Sequence, residues 1–191
     1  MNKKHQEIWN CVKPLMKKVK KKDYVLHVKM VIRAMEEIIA GEGGNVDILI
    51  PAAILHDVGW SEVTEKLQLT DDKKLKHEAG VQHIRRAPLI IRRILGKLNY
   101  DQNTIERVIE IVVAHKFTDP EEKEKRLLID ADTLSDTYKE SFYSDVESYN
   151  STSEKTYKFR SKNIFYTKTA KKIFQKQLKA RREEINKVVI N

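Results

Sequence analysis

An all-α fold, one domain of some seven or eight helices, is what the sequence predicts, and it rests on three observations. Apolar residues recur at three- and four-residue spacings through most of the 191-residue chain. Alternating apolar and polar runs bounded by turn signals are absent, so no stretch reads as a strand. Cap residues and glycines fall at the ends of the periodic stretches, where helices begin and stop.

Taken in order, residues 5–19 place Ile8, Trp9, Val12, Leu15, Met16 and Val19 on one helical face, with Pro14 marking a kink or a late start. Lys20-Lys21-Lys22-Asp23 then reads as a polar turn in which Asp23 caps a helix over 23–40. The stripe of that helix is Tyr24, Val28, Val31, Met35 and Ile38; His27 shares it and faces inward. Gly41, Gly43 and Gly44 end it. Residues 45–58 form a short helix, apolar on nearly all sides and therefore central, with Pro51 tolerable only within about a turn of its start. Gly59 allows a left-handed or tight turn, and Trp60 reads as a core or pocket-wall residue.

Residues 61–74 are polar and irregular, closing on Thr70-Asp71-Asp72 as a cap. The helix that follows carries His77, Gly80, Val81 and Ile84 and continues past Pro88 to Leu98, while His83 reads as a surface or half-buried histidine. Asp101 or Asn103 starts the next helix, whose stripe Ile105, Val108, Ile109 and Val112 ends at His115. An acidic loop over 118–125 leads into Leu127-Leu128-Ile129 and Asp130-Ala131-Asp132. Asp132 lies four residues after Leu128, and a carboxylate on an apolar face needs a cation partner. Residues 136–158 suggest a helix followed by a mobile loop, and 160–187 a long basic helix with Ile164, Phe165, Ala170, Ile173, Phe174, Leu178 and Ile185 inside.

Composition narrows the function classes. The single Cys11 excludes an intrachain disulfide, and no run is apolar enough to cross a bilayer, so a cytoplasmic protein without a membrane partner is the expectation. Gly-rich phosphate loops, paired cysteines and nucleophile-elbow motifs are missing. The net charge of +9 is unevenly spread: residues 1–22 carry +7, residues 155–191 carry +10, and the stretch between them −8. A solvated lysine-rich surface is the plain reading of the two ends; steering of a nucleotide or nucleic acid is the sharper one.

The chemistry concentrates in Ala52-Ala53-Ile54-Leu55-His56-Asp57-Val58-Gly59. Adjacent His56 and Asp57 leave one buried helix end together and offer mixed nitrogen and oxygen ligation to a divalent ion. With His27 upstream and Asp130-Ala-Asp132-Thr-Leu downstream, the ordered set resembles the HD-domain superfamily of metal-dependent phosphohydrolases over about residues 20–136, leaving 137–191 as a helical extension. The resemblance implies that His27, His56, Asp57 and Asp132 ligate the metal, with Asp57 also catalytic and Asp130 as the alternative to Asp132. It further implies one or two divalent ions (Mn, Fe, Co, Ni, Mg or Zn). His77 and His115 are candidates for a second metal or the pocket wall, though a core role is equally open for each. Lys29, Arg33, Lys66 and Lys116 are candidates for meeting substrate phosphate.

The implied reaction is hydrolysis of a phosphate ester or anhydride, in a nucleotide or another small phosphorylated metabolite. One related pattern places Arg after the second Asp and a further Asp beyond the Leu; this chain has Thr133 and Ser135 there, which leaves the substrate class open. Two alternatives stand: a dinuclear phosphodiesterase or iron oxygenase, or a non-enzymatic nucleic-acid-binding or regulatory protein.

Overall fold

The computed structural model describes residues 2–20 and 22–189; Lys21, in the polar turn, lies outside the described residues. Among these the chain forms ten α-helices and one 3₁₀ turn, with no strand. In order they are α1 (Lys3–Met16), α2 (Tyr24–Glu42), α3 (Val46–Leu55), the 3₁₀ turn (Val58–Glu62), α4 (Glu65–Gln68), α5 (Lys73–Lys97), α6 (Gln102–Val113), α7 (Lys123–Ser135), α8 (Lys139–Ser148), α9 (Ser153–Arg160) and α10 (Lys168–Val189). None of the helices is long and apolar enough to cross a membrane.

Helix starts follow local chemistry. The Asp23, Asp72 and Asp101 carboxylates accept from Leu26, from Lys74 and Leu75, and from Thr104 backbone N–H groups, satisfying donors that a first turn leaves unpaired. Central α3 is buried at every position from Ile48 to Leu55 and packs against α1, α2, α6 and α7. Each fully buried Leu or Ile there contributes about 1.5–3 kcal/mol relative to exposure, so this helix anchors the core.

At Leu55 the α-helix stops, and the backbone leaves helical geometry at Asp57 (φ −105°, ψ 10°) before entering the 3₁₀ turn. His56 and Asp57 are thereby presented together at the rim of the core. Gly59 is required for a different reason from the one its position suggests. It is not among the glycines with positive φ, which are Gly43 and Gly44. Instead α5 crosses so closely that a side chain at residue 59 would overlap the His83 carbonyl oxygen and crowd the Ala87 nitrogen.

The C-terminal third departs from expectation. Residues 136–158 are helical in two pieces, α8 and α9, where a helix followed by a mobile loop was expected. Thr152 caps α9 by accepting from Lys155 N–H, and Arg160 at its end pairs with Asp136 and Asp145, so polar contacts hold a helix whose apolar periodicity is weak. Ile164 is 86 % exposed, not on the inner side, because α10 begins only at Lys168. Phe165 is the buried neighbour, against Phe174. The extra short helix α4 was unpredictable from a four-residue polar segment.

Asp130 ties this extension to the core. Fully buried, it accepts from the Tyr166 and Thr167 backbone N–H groups at 2.8 Å each and from the Thr167 hydroxyl at 2.7 Å, just before α10. Asp130→Ala is expected to cost about 2–4 kcal/mol in denaturant unfolding, by stranding those donors, while leaving the protein's metal content unchanged. Loss of metal from this variant at unchanged stability would overturn the division of roles between the two acids of Asp-Ala-Asp.

Candidate metal centre

Five elements converge on one buried cluster: α2 brings His27, the end of α3 brings His56 and Asp57, α5 brings His83, the end of α6 leads to His115, and α7 brings Asp132. All six are buried. The Asp57 carboxylate is the hub. Its Oδ2 lies 3.4 Å from both His27 Nε2 and His56 Nε2. Its Oδ1 lies 3.4 Å from His83 Nε2 and 3.5 Å from His115 Nε2. Asp132 Oδ1 stands 3.2 Å from His27 Nε2 and 3.7 Å from His56 Nε2.

Tautomers follow from what each second ring nitrogen meets. His56 Nδ1 faces the Ala53 carbonyl at 2.9 Å and His115 Nδ1 the Val112 carbonyl at 2.5 Å. A carbonyl only accepts, so each Nδ1 carries the hydrogen and, in the neutral ring, each Nε2 turns a lone pair toward Asp57. His83 is held differently, its ring stacked on Trp60 at a centroid distance of 4.6 Å and an interplanar angle of 10°. His27 Nδ1 faces the Ser135 hydroxyl at 3.3 Å and Asp136 Oδ1 at 3.6 Å.

Lone pairs and carboxylates that face one another without donors call for a cation. Asp57 Oδ1, both ring nitrogens of His83 and His115 Nε2 are buried without a hydrogen-bond partner, while His27 Nε2 lies within hydrogen-bond distance of His56 Nε2 at 3.1 Å. Two groups have ligand atoms close enough for one ion each: His27, His56 and Asp57, and Asp57, His83 and His115. The donor set of imidazoles and carboxylates suits a divalent transition metal, so the residues fit the ion.

Electrostatics reflect the same crowding. Burial pushes the Asp57 carboxyl up, but His56, His115 and His27 outweigh it and hold the group well below the ordinary carboxylate range. For Asp132 burial is likewise overcome, chiefly by Lys116 and His27. His27 is opposed by burial and by Lys22, yet its hydrogen bonds to Asp132, Asp136 and Asp57 push it up to about 10. Burial leads at His115 and pulls it down to about 4.

The cluster floors a pocket of about 340 Å³ walled by Lys22, Tyr24, Trp60, Lys116, Arg160 and Asn163 among others. Of the four cations singled out in the sequence, only Lys116 reaches it, donating to Asp132. Lys29 and Lys66 are exposed and line no part of it, and Arg33 is turned to Glu37 and the Tyr138 ring: α2 directs one face to the pocket and Lys29 and Arg33 occupy others, while Lys66 sits on the short α4, which contributes no residue to the pocket. His77 is exposed too, packing edge-on against Phe117, and takes no part in the cluster.

Sequence reasoning passed over His83, Lys22, Asp136 and Arg160. One signal was available for His83: the small residues Ala79 and Ala87 lie four positions before and after it in one helical row, the face on which α5 meets Gly59. Lys22 and Arg160 come from the two basic ends of the chain and meet on Asp136 and Asp145: Lys22 lies 3.2 Å and 3.9 Å from them, and Arg160 2.6 Å from Asp136. Nothing local in the sequence marks that meeting.

Comparison with known proteins agrees with this architecture. None of the curated proteins matches the sequence. Among solved structures, a protein from an uncultured Thermotogales bacterium, titled a predicted HD superfamily hydrolase, aligns with a TM-score of 0.69 at 21 % identity, covering 97 % of this chain and 91 % of that one. A model of the HD domain matches residues 24–137, the stretch from the first residue of α2 to just past α7 that supplies all six residues of the cluster. By that match this chain belongs to the HD-domain family.

Proposed function

We propose that the protein is a metal-dependent phosphohydrolase acting on a small phosphate ester or anhydride. The observation that carries this reading is Asp57 shared between two imidazole groups at the floor of a pocket walled by Lys22, Lys116 and Arg160. Membership of the HD-domain family and likeness in fold to a predicted hydrolase support it.

His27, His56, Asp57 and Asp132 would hold one divalent ion, and Asp57, His83 and His115 would provide for a second. Bound there, the ion supplies Lewis acidity toward a phosphoryl oxygen and lowers the pKa of an attacking water. The chain's own residues do the rest. Asp57 and Asp132 bring two negative charges, so the phosphate charge falls to Lys116 and Lys22 at the pocket wall. In the reaction a bond forms between the water oxygen and phosphorus, the bond from phosphorus to the leaving oxygen breaks, and a water proton ends on the leaving group. Trp60 and Tyr24 shield one side of the pocket from solvent.

The test is a panel of phosphate monoesters, nucleotides and anhydrides run on metal-stripped protein with Mn, Co, Ni, Mg and Fe added back in turn. Turnover that depends on the added ion is expected. Equal turnover without metal, or none with any ion, would remove the proposal. Because the two-sided use of Asp57 provides for two ions, an iron oxygenase is the second reading. Two irons per chain together with oxygen consumption would move the activity from phosphate hydrolysis to oxygenation.

A further inference from the structure

The metal pocket does not end at the family core. It runs on into a second chamber of about 570 Å³ between α8 and α9, with which it shares Lys22, Asp136, Tyr149, Phe159 and Arg160. That volume lies in the range of small-molecule sites and far exceeds what a phosphoryl group occupies. Asp145, Ser151, Lys155 and Thr156 complete its wall, Asp145 being taken up by Arg160 and Lys22.

Two features of the connected cavities are only partly used by the fold. Phe159 is 66 % exposed and Tyr149 48 % exposed although both line the concavity, with Arg160 set over the Phe159 ring at 5.4 Å. Arg160 Nε and Asn163 Nδ2 are buried donors without hydrogen-bond partners, although other nitrogens of Arg160 pair with Asp136 and Asp145. Buried donors left unpaired are costly, and both belong to residues that line the metal pocket, where an anionic oxygen would satisfy them.

We propose that the α8–α9 chamber is the leaving-group subsite for a phosphate ester whose leaving group carries a flat ring. Arg160, which lines both cavities, and Asn163, on the metal-pocket side, donate to phosphate oxygens, and Tyr149 and Phe159 lie against the ring beyond them. The inference rests on the phosphohydrolase reading and deepens it. All four residues lie outside the stretch matched by the family model, so they set specificity for this chain and leave the shared metal chemistry to the core.

Binding of two non-hydrolysable phosphonates to the whole chain with its metal, measured by calorimetry, tests this without turnover. Phenylphosphonate is expected to bind about tenfold more tightly than methylphosphonate, the increment that stacking a ring on an aromatic side chain provides. In Phe159→Ala and Tyr149→Ala that ratio should fall to about twofold. Asn163→Ala should weaken both ligands by a similar factor of about ten or more, as loss of one hydrogen bond to an anion requires. Equal binding of the two phosphonates by the wild type, or a ratio that survives in both aromatic variants, overturns the subsite while leaving the hydrolase reading intact. Failure to bind either phosphonate sinks both.

Discussion

On the proposed reading Asp57→Ala is expected to lower turnover by at least about a thousandfold and to abolish metal binding by both groups, because several kilocalories per mole of charge stabilisation would depend on the ions it would share. No other residue of the cluster faces both groups: Oδ2 serves His27 and His56, and Oδ1 serves His83 and His115. Elemental analysis and activity should therefore fall together. His83→Ala should remove metal from one half only, a result contrary to the sequence reading that made this histidine a bystander. His77→Ala should change neither quantity, since that ring packs on Phe117 away from the cluster. If Asp57→Ala kept its full metal complement, the shared-carboxylate arrangement would have to be abandoned.

Metal affinity should rise with pH by about tenfold per unit between pH 7 and 10 and level off above, because the ion must displace the proton that His27 holds up to about pH 10. His115, pulled down to about 4, is already neutral there and adds nothing to the slope. Stability of the metal-stripped protein follows with opposite signs. His27, raised above its ordinary 6.5, contributes stability that is complete below pH 6.5 and lost as pH rises through 10. His115, lowered from 6.5, contributes stability above pH 6.5 that is lost as pH falls toward 4. Melting curves of stripped protein should peak near pH 6.5 as far as these two groups decide, and the alkaline loss should vanish on loading metal, which needs His27 neutral. A pH-independent affinity, with no proton released on binding, would contradict the arrangement around His27.

The basic charge at the two ends acquires a structural role in part. Lys22 and Arg160 are drawn onto Asp136 and Asp145 beside His27, and the burial that raises the Asp136 carboxyl is outweighed by Lys22, by the His27 hydrogen bond and by Arg160. The lysines of α10 do not share this position. Helices α1 and α10 both touch α2, but α1 packs mainly on α3 and the 3₁₀ turn, and α10 mainly on α7 and α9.

From the sequence alone came the helices with strong stripes and their caps, the central apolar α3, the inward-facing His27, the adjacent His56 and Asp57, and an acid at the end of α7. These are local properties: helical period, a capping side chain, or a polar residue on an apolar face can be read within a dozen residues. Tertiary structure alone decided that His83 and not His77 joins His115, that Asp130 holds the extension while Asp132 faces the histidines, and that Lys22 and Arg160 reach the pocket from opposite ends of the chain. Such choices depend on which way a helix rotates against neighbours distant in sequence. Along α5 a shift of six residues turns a side chain from solvent to core, and the close crossing of α5 over Gly59 together with its packing on α6 sets that rotation.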